Sequence, residues 1–249
     1  MTIDRAPPTP GSGQKPAGFQ RWRRLLFLHW ELPVPALQAL VPRALTIDTF
    51  EGRAYVGVVA FTMRDVSLRP FPRVPGARDF HELNVRTYVH HANRDPGVWF
   101  FSLDAASSLA VLAARASFHL PYFRASMRLV ENGEQARYSS RRRWPRPIPA
   151  DFDATYRTGE SLGPAPLGTL EHFLIERYRL FTRAPRDLRQ ALVRHPPYPL
   201  ARAELSELAE NVVSAAGLPA PAGAPHVLYS AGVDVDVFAL TPSPENDAG

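Results

Sequence analysis

Proline sets the rhythm of this chain: 26 of its 249 residues are proline, and they cut the apolar sequence into short runs. Proline removes a backbone donor and breaks helix interiors, so long helices are disfavoured and short strands joined by turns are favoured. The runs between the prolines have strand chemistry. Residues 24–32 (RLLFLHWEL) and 53–63 (RAYVGVVAFTM) are rich in aromatic and β-branched side chains. Residues 82–91 (ELNVRTYVHH) alternate at period two. Glu82, Asn84, Arg86, Tyr88 and His90 then share one face, and Leu83, Val85, Thr87, Val89 and His91 the other. Residues 97–105 (GVWFFSLDA) are apolar on both faces, as a buried strand is. Residues 124–130 and 136–143 flank Asn132-Gly133, and Asn-Gly between two such runs predicts a hairpin. Further strands are expected over 152–157, 176–181, 188–195 and 227–240.

Helices are expected to be few and short. Residues 35–40 have a proline-led opening. Residues 107–116 (SSLAVLAARA) begin on a serine suited to an N-cap and run on in alanine and leucine. Residues 168–174 and 205–213 complete the helix expectations. The fold class is therefore α+β, mainly antiparallel β, with the sheet closed or strongly curved. A disordered leader over 1–18, one domain over 19–240 and a flexible tail over 241–249 are the expected organisation. A chain of this length can bury a sizeable core.

Several chemistries are excluded or disfavoured by residue type. Without cysteine there is no disulfide, thiolate metal site or cysteine nucleophile. No stretch reaches about 18 apolar residues and the leader lacks an apolar signal core, so a cytoplasmic protein with no membrane contact is expected. The formal charge is +5, but arginines are scattered from Arg21 to Arg202, with one dense run at Arg141–Arg143 beside Trp144. A plain basic surface fits that distribution better than nucleic-acid binding. Phosphate-loop, dinucleotide, zinc-protease and serine-elbow motifs are absent, and His90 and His91 point to opposite strand faces. Neither a metal nor a cofactor is expected. Of 29 basic Lys and Arg residues only Lys15 is a lysine, and it lies in the leader. Lysine is the side chain that forms a Schiff base with a carbonyl.

Chemistry could sit in one of several constellations. The polar face of 82–90 is an ordinary solvent face if the sheet is open. If the sheet closes, a carboxylate and a guanidinium share its interior and each can shift the other's pKa. A second group combines Asp104 at a strand end, Arg115 near a helix end, and His119 with Tyr122 in the turn that follows. Its bland alternative has Arg115 opposing the helix dipole and His119 serving structure. A third, Glu171 with Glu176–Phe181, alternates charge with aromatics as strand packing and surface ion pairs do.

Four segments in order resemble one bacterial family: FHELNVRTYV (80–89), GVWFFSLDA (97–105), ARASFHLPYFRA (114–125) and LEHFLIERYRLF (170–181). His29-Trp30 before Val34-Pro35, and Ala54-Tyr55-Val56-Gly57, also fit. Over about residues 20–240 the chain resembles the YqjF-like domain of unknown function, placed in the acetoacetate-decarboxylase-like superfamily. That resemblance implies a closed, cone-like β-barrel with helices at its side and a ligand cavity inside. The superfamily's namesake decarboxylates a β-keto acid through a lysine Schiff base, with a second lysine, a buried glutamate and an arginine assisting. Glu82 is the position that matches the glutamate, and Arg86 follows on the same face. The lysine pair has no counterpart; Arg115 and Arg124 stand near its place, and arginine stays protonated.

The expectation is a barrel that binds a small organic acid or keto compound, anionic to suit its arginines, without Schiff-base chemistry. Glu82, His119 and Tyr122 are expected to be catalytic through acid–base steps, and Asn84, Arg86, Tyr88, Asp104 and Arg115 to bind the ligand. The alternatives are a non-enzymatic binding or sensory module and, third, nucleic-acid association. An oligomer is compatible with all of them.

Overall fold

The apolar runs pair edge to edge in a computed structural model, which describes residues 3–8, 14–68, 78–145, 149–185 and 187–243. In chain order the elements are β1 (Gly18–Leu32), α1 (Val34–Gln38), β2 (Leu45–Ile47), β3 (Ala54–Leu68), β4 (Phe80–His91) and β5 (Arg94–Ala105). Then come α2 (Ser108–Phe118), β6 (Tyr122–Asn132), β7 (Gln135–Trp144), β8 (Asp151–Gly163), α3 (Leu170–Ile175) and β9 (Arg179–Arg183). The chain continues through β10 (Leu188–Arg194), β11 (Leu200–Glu210), α4 (Val212–Ala215), β12 (His226–Val237) and β13 (Thr241–Pro242).

All the strands join one 13-stranded sheet in the order β13-β10-β9-β5-β6-β7-β8-β11-β12-β1-β3-β4-β2. Further pairings of β4 with β5 and of β10 with β12 bring the strand order back on itself. The sheet is mostly antiparallel; β5 runs parallel to β6 and to β9. Parallel neighbours need a crossover, and α2 supplies it between β5 and β6. Local chemistry sets the joints. Gly133 adopts φ 62° in the β6–β7 turn, as a tight hairpin requires. Ser107 caps α2 by accepting from the Ala110 amide, and Thr169 caps α3 by accepting from that of His172.

Two expectations are corrected. Residues 205–213 were expected to be helical, and instead β11 runs to Glu210, paired with β8 and β12, leaving only the short α4. Its Ala, Glu and Leu residues are good helix formers, and pairing with β8 out to Glu210 overrides that preference. The strand expected over 176–181 begins only at Arg179. Glu176, Arg177 and Tyr178 form a buried corner between α3 and β9.

Strand β4 is buried on both faces. Leu83, Val85 and Val89 pack in one interior with Leu26, Leu28, Tyr138 and Phe152. Tyr88 faces the other, with Phe27, Phe61, Leu103 and Phe173. The period-two pattern therefore separates two interiors, and the solvent-face alternative for Glu82, Asn84 and Arg86 is set aside by their burial. Part of the leader touches this body: Arg5 pairs with buried Asp48. Leader residues 1–2 and 9–13, Arg146 of the basic segment and tail residues 244–249 lie outside the described residues. No helix among the described residues is long and apolar enough to cross a membrane.

Candidate functional site

A cavity of about 380 Å³ opens on the Tyr88 side of β4. Trp22 and Phe27 of β1, Phe61 of β3 and Phe100 and Leu103 of β5 make most of its wall apolar. Set into that wall are Glu82, Asn84 and Arg86 of β4, with Tyr122 at the start of β6. Period two brings the β4 residues to one face, and the β5–β6 pairing of Leu103 with Tyr122 delivers the tyrosine beside them.

The Tyr122 hydroxyl donates to Glu82 Oε2 at 2.8 Å, and the Glu82 carbonyl accepts from the Tyr138 hydroxyl at 2.9 Å. Glu82 is 2% exposed, and burial pushes its carboxyl up to about 8, against the opposing donors of Tyr122 and Asn84. A buried carboxylate without a cationic partner keeps its proton. Glu82 is thus a neutral acid at pH 7. Burial and the neighbouring Glu82 also raise the Tyr122 hydroxyl well above its ordinary value. Asn84 Oδ1 is buried and has no hydrogen-bond partner.

Arg86 points the other way along the strand. One Nη donates to the Leu174 carbonyl at 3.1 Å, the guanidinium lies 5.7 Å from the Tyr88 ring centre, and Nε has no partner. No ion pair to Arg86 is present among the described residues. Arg177 lines the cavity nearby, donating to Asp48 at 2.9 Å and to the Phe173 carbonyl at 2.9 Å, with one Nη unpartnered. Burial pulls the Arg177 pKa down, and Asp48 opposes that shift.

The remaining expected site residues lie outside the cavity wall. Tyr88 stands behind Arg86, donating to the Leu174 carbonyl at 2.8 Å and bonded to His29 Nε2 at 2.7 Å. Since that hydroxyl's proton goes to Leu174, His29 Nε2 is the donor of the second bond. The neutral tautomer this requires agrees with burial holding His29 well below its usual pKa. Asp104 belongs to the opposite interior, paired with Arg142 at 2.8 Å with both side chains buried. Burial raises its carboxyl to about 6, and Arg142 opposes the shift. Arg115 donates to the Tyr122 carbonyl at 2.7 Å and sits over the Trp144 ring. His119 is exposed in the left-handed conformation that ends α2, and its carbonyl accepts from Thr182. The convergence expected of Asp104, Arg115 and His119 with Glu82 is therefore not found. Arg177 and Trp22, which do line the cavity, carried no site signal in the sequence beyond the mixed charge and aromatic run at 176–181.

Chemically the wall offers a neutral carboxylic acid bonded to a phenol, an open amide acceptor, and three partly unpartnered guanidiniums, those of Arg78, Arg86 and Arg177, in an apolar surround. Among the described residues no group of three or more His, Asp or Glu side chains could hold a metal ion.

The same overall fold occurs in solved structures. The enduracididine biosynthesis enzyme MppR with bound HEPES superposes at TM-score 0.64 with 11% identity, over 94% of this chain and 90% of that one. Acetoacetate decarboxylase from Legionella pneumophila gives 0.61 with 15% identity, over 98% and 94%. An acetoacetate decarboxylase-like enzyme from Sphingomonas wittichii RW1 gives 0.60 with 13% identity, over 95% and 98%. At these identities the likeness is one of fold. In sequence, the uncharacterized protein YqjF of Bacillus subtilis (strain 168) is 40% identical over 216 residues, 87% of this chain and 88% of that protein. With residues 19–234 matching the family model described as an uncharacterized conserved protein, the chain belongs to the DUF2071 family.

Proposed function

We propose that residues 19–240 form one closed, cone-like barrel that binds an organic acid or keto compound in the cavity beside β4. The observation that carries this reading is Arg86, a buried guanidinium with an unpartnered Nε on an apolar wall and no carboxylate paired to it among the described residues. A buried charge without a partner is costly, so an anionic ligand that supplies the missing carboxylate is favoured. Arg86 anchors that carboxylate, Asn84 orients the ligand, and the Glu82–Tyr122 pair gives or takes a proton. The return of the strand order through the β4–β5 pairing supports the closed barrel. One structural neighbour, MppR, is known in complex with pyruvate, which supports an organic acid as the ligand class.

Schiff-base chemistry is not part of this proposal. Lys15 is exposed in the segment before β1, and the cavity wall is without lysine. Borohydride trapping with acetoacetate should leave residues 19–240 unlabelled; covalent capture at Lys15 with turnover dependent on it would overturn the point. The ligand reading is tested by a thermal-shift screen of keto and hydroxy acids beside a turnover assay. Stabilisation by acids that disappears in Arg86→Leu is expected, and a screen in which no acid stabilises the parent protein would sink the reading.

The second reading, a binding or sensory module without catalysis, is favoured by the absence of a cavity amine; acid-dependent stabilisation with no product would select it. Nucleic-acid binding is disfavoured because surface arginines are already paired, as in Arg137–Asp153 and Arg157–Glu204. Binding that weakens steeply with added salt would restore it.

A further inference from the structure

Beside the wall arginines Arg78, Arg177 and Arg179, the polar groups that β4 contributes to the cavity form two separate poles. Arg86 turns toward Leu174 and Tyr88, and Glu82 turns toward Tyr122. Their backbones are four residues apart on β4, about 13 Å at the rise of an extended strand. Strand pairing sets Phe61 opposite Glu82, Val59 and Leu103 opposite Asn84, and Phe100 opposite Arg86. All of these side chains line the cavity, so apart from Asn84 the wall between the poles is apolar.

A short keto acid held at Arg86 leaves its carbonyl far from Glu82 and leaves the apolar wall uncovered. A short keto acid held at Glu82 leaves Arg86 without a counter-ion. One ligand satisfies both poles only if it is long. Asn84 Oδ1, buried and unpartnered next to Glu82, adds an open acceptor at the acid pole. The groups there can therefore donate to a carbonyl, through the Glu82 acid, and accept from a hydroxyl, through Asn84.

Resting on the reading that an anion binds at Arg86, we propose that the ligand is an elongated amphipathic acid. Its carboxylate meets Arg86, an apolar body on the order of 10 Å, set by the strand rise between the poles, lies along the aromatic wall, and a carbonyl or hydroxyl at the far end meets Glu82 and Asn84.

Calorimetric titration of the full chain with acetoacetate, octanoate, octanamide and the octanoate analogue bearing a ketone beside its terminal methyl tests this. Octanoate should bind at least about tenfold more tightly than acetoacetate, and the distal ketone should add on the order of a further tenfold, the worth of one good buried hydrogen bond. Glu82→Leu should abolish the ketone's gain, so that the distal ketone and octanoate bind that variant alike. Should that variant not fold, the parent protein supplies the same contrast, since raising the pH from about 6 to about 9 ionises Glu82 and should remove the ketone's gain alone. Acetoacetate binding as tightly as octanoate, or a distal ketone that adds nothing at either pH, would overturn the elongated ligand. No binding by any acid, or octanamide binding as well as octanoate, would instead overturn the anion at Arg86.

Discussion

A carboxylic acid set in an apolar wall holds its proton, and the cost of releasing it appears as stability. The folded-state pKa of Glu82, about 8, lies above the ordinary 4.5. The folded state thus binds the proton more tightly than the unfolded state does. That contribution is complete below about pH 4.5 and is lost as pH rises through 8. Glu82→Gln, which cannot ionise, should therefore gain on the parent protein between those limits, by up to about 5 kcal/mol at the alkaline end. Melting curves at stepped pH check this, and a constant gap between the two proteins would contradict it. Asp104 has the same sign over a narrower window, from 3.8 to about 6. Its partner Arg142 is buried with it, so Arg142→Leu should cost about 3–5 kcal/mol by leaving the carboxyl alone. Joining Asp104→Leu to that variant should recover part of the loss in denaturant titrations. The sequence made Glu82, Asn84 and Arg86 legible because period two placed them on one face. Asp104 lies off the cavity wall for an equally local reason. Register shifts in the β4–β5 ladder between Val85 and Arg86, so Val98 and Phe100 line the cavity and then Leu103 does. A one-residue irregularity exchanges the faces, and Asp104 turns into the other interior.

Among the elements, α2 is the least embedded wall of the cavity. Leu109, Ala110, Ala113, Ala114 and Phe118 line the space, yet Leu109 and Leu112 are 53% and 56% exposed and Val111 is the helix's buried residue. Few buried contacts mean a low free energy of local opening. In hydrogen exchange the α2 amides should be replaced well before those of β4; equal protection would show that α2 is locked to the sheet. Strand pairing is unforgiving at Gly232, where φ is 133° and an added Cβ would stand 2.0 Å from the Trp22 carbonyl oxygen. Gly232→Ala should cost about 3 kcal/mol or more by prising β1 from β12, measurable by denaturant titration. Element identity was readable where pattern and pairing agreed, as in the Asn132-Gly133 hairpin and the capped α2. It failed at β11, whose ARAELSELAE sequence has helical composition but pairs out to Glu210 with β8, a neighbour that only the assembled sheet provides.

At the scale of the whole molecule, one sheet serves two interiors. One is filled by side chains such as Leu83, Tyr138 and Phe152, and the other is left with space beside β4. The mainly antiparallel class was legible because prolines and strand-like runs recur along the entire chain. The corner at Glu176–Tyr178, which delivers Arg177 to the cavity, has no periodic signature and needed the fold itself. The solitary Lys15 has a practical consequence. Because it is exposed and stands just ahead of β1, an amine-reactive fluorophore has one side chain to attach to, outside the ligand space. A dye coupled there reports on the leader's approach to the body while leaving every group around Glu82 and Arg86 chemically untouched.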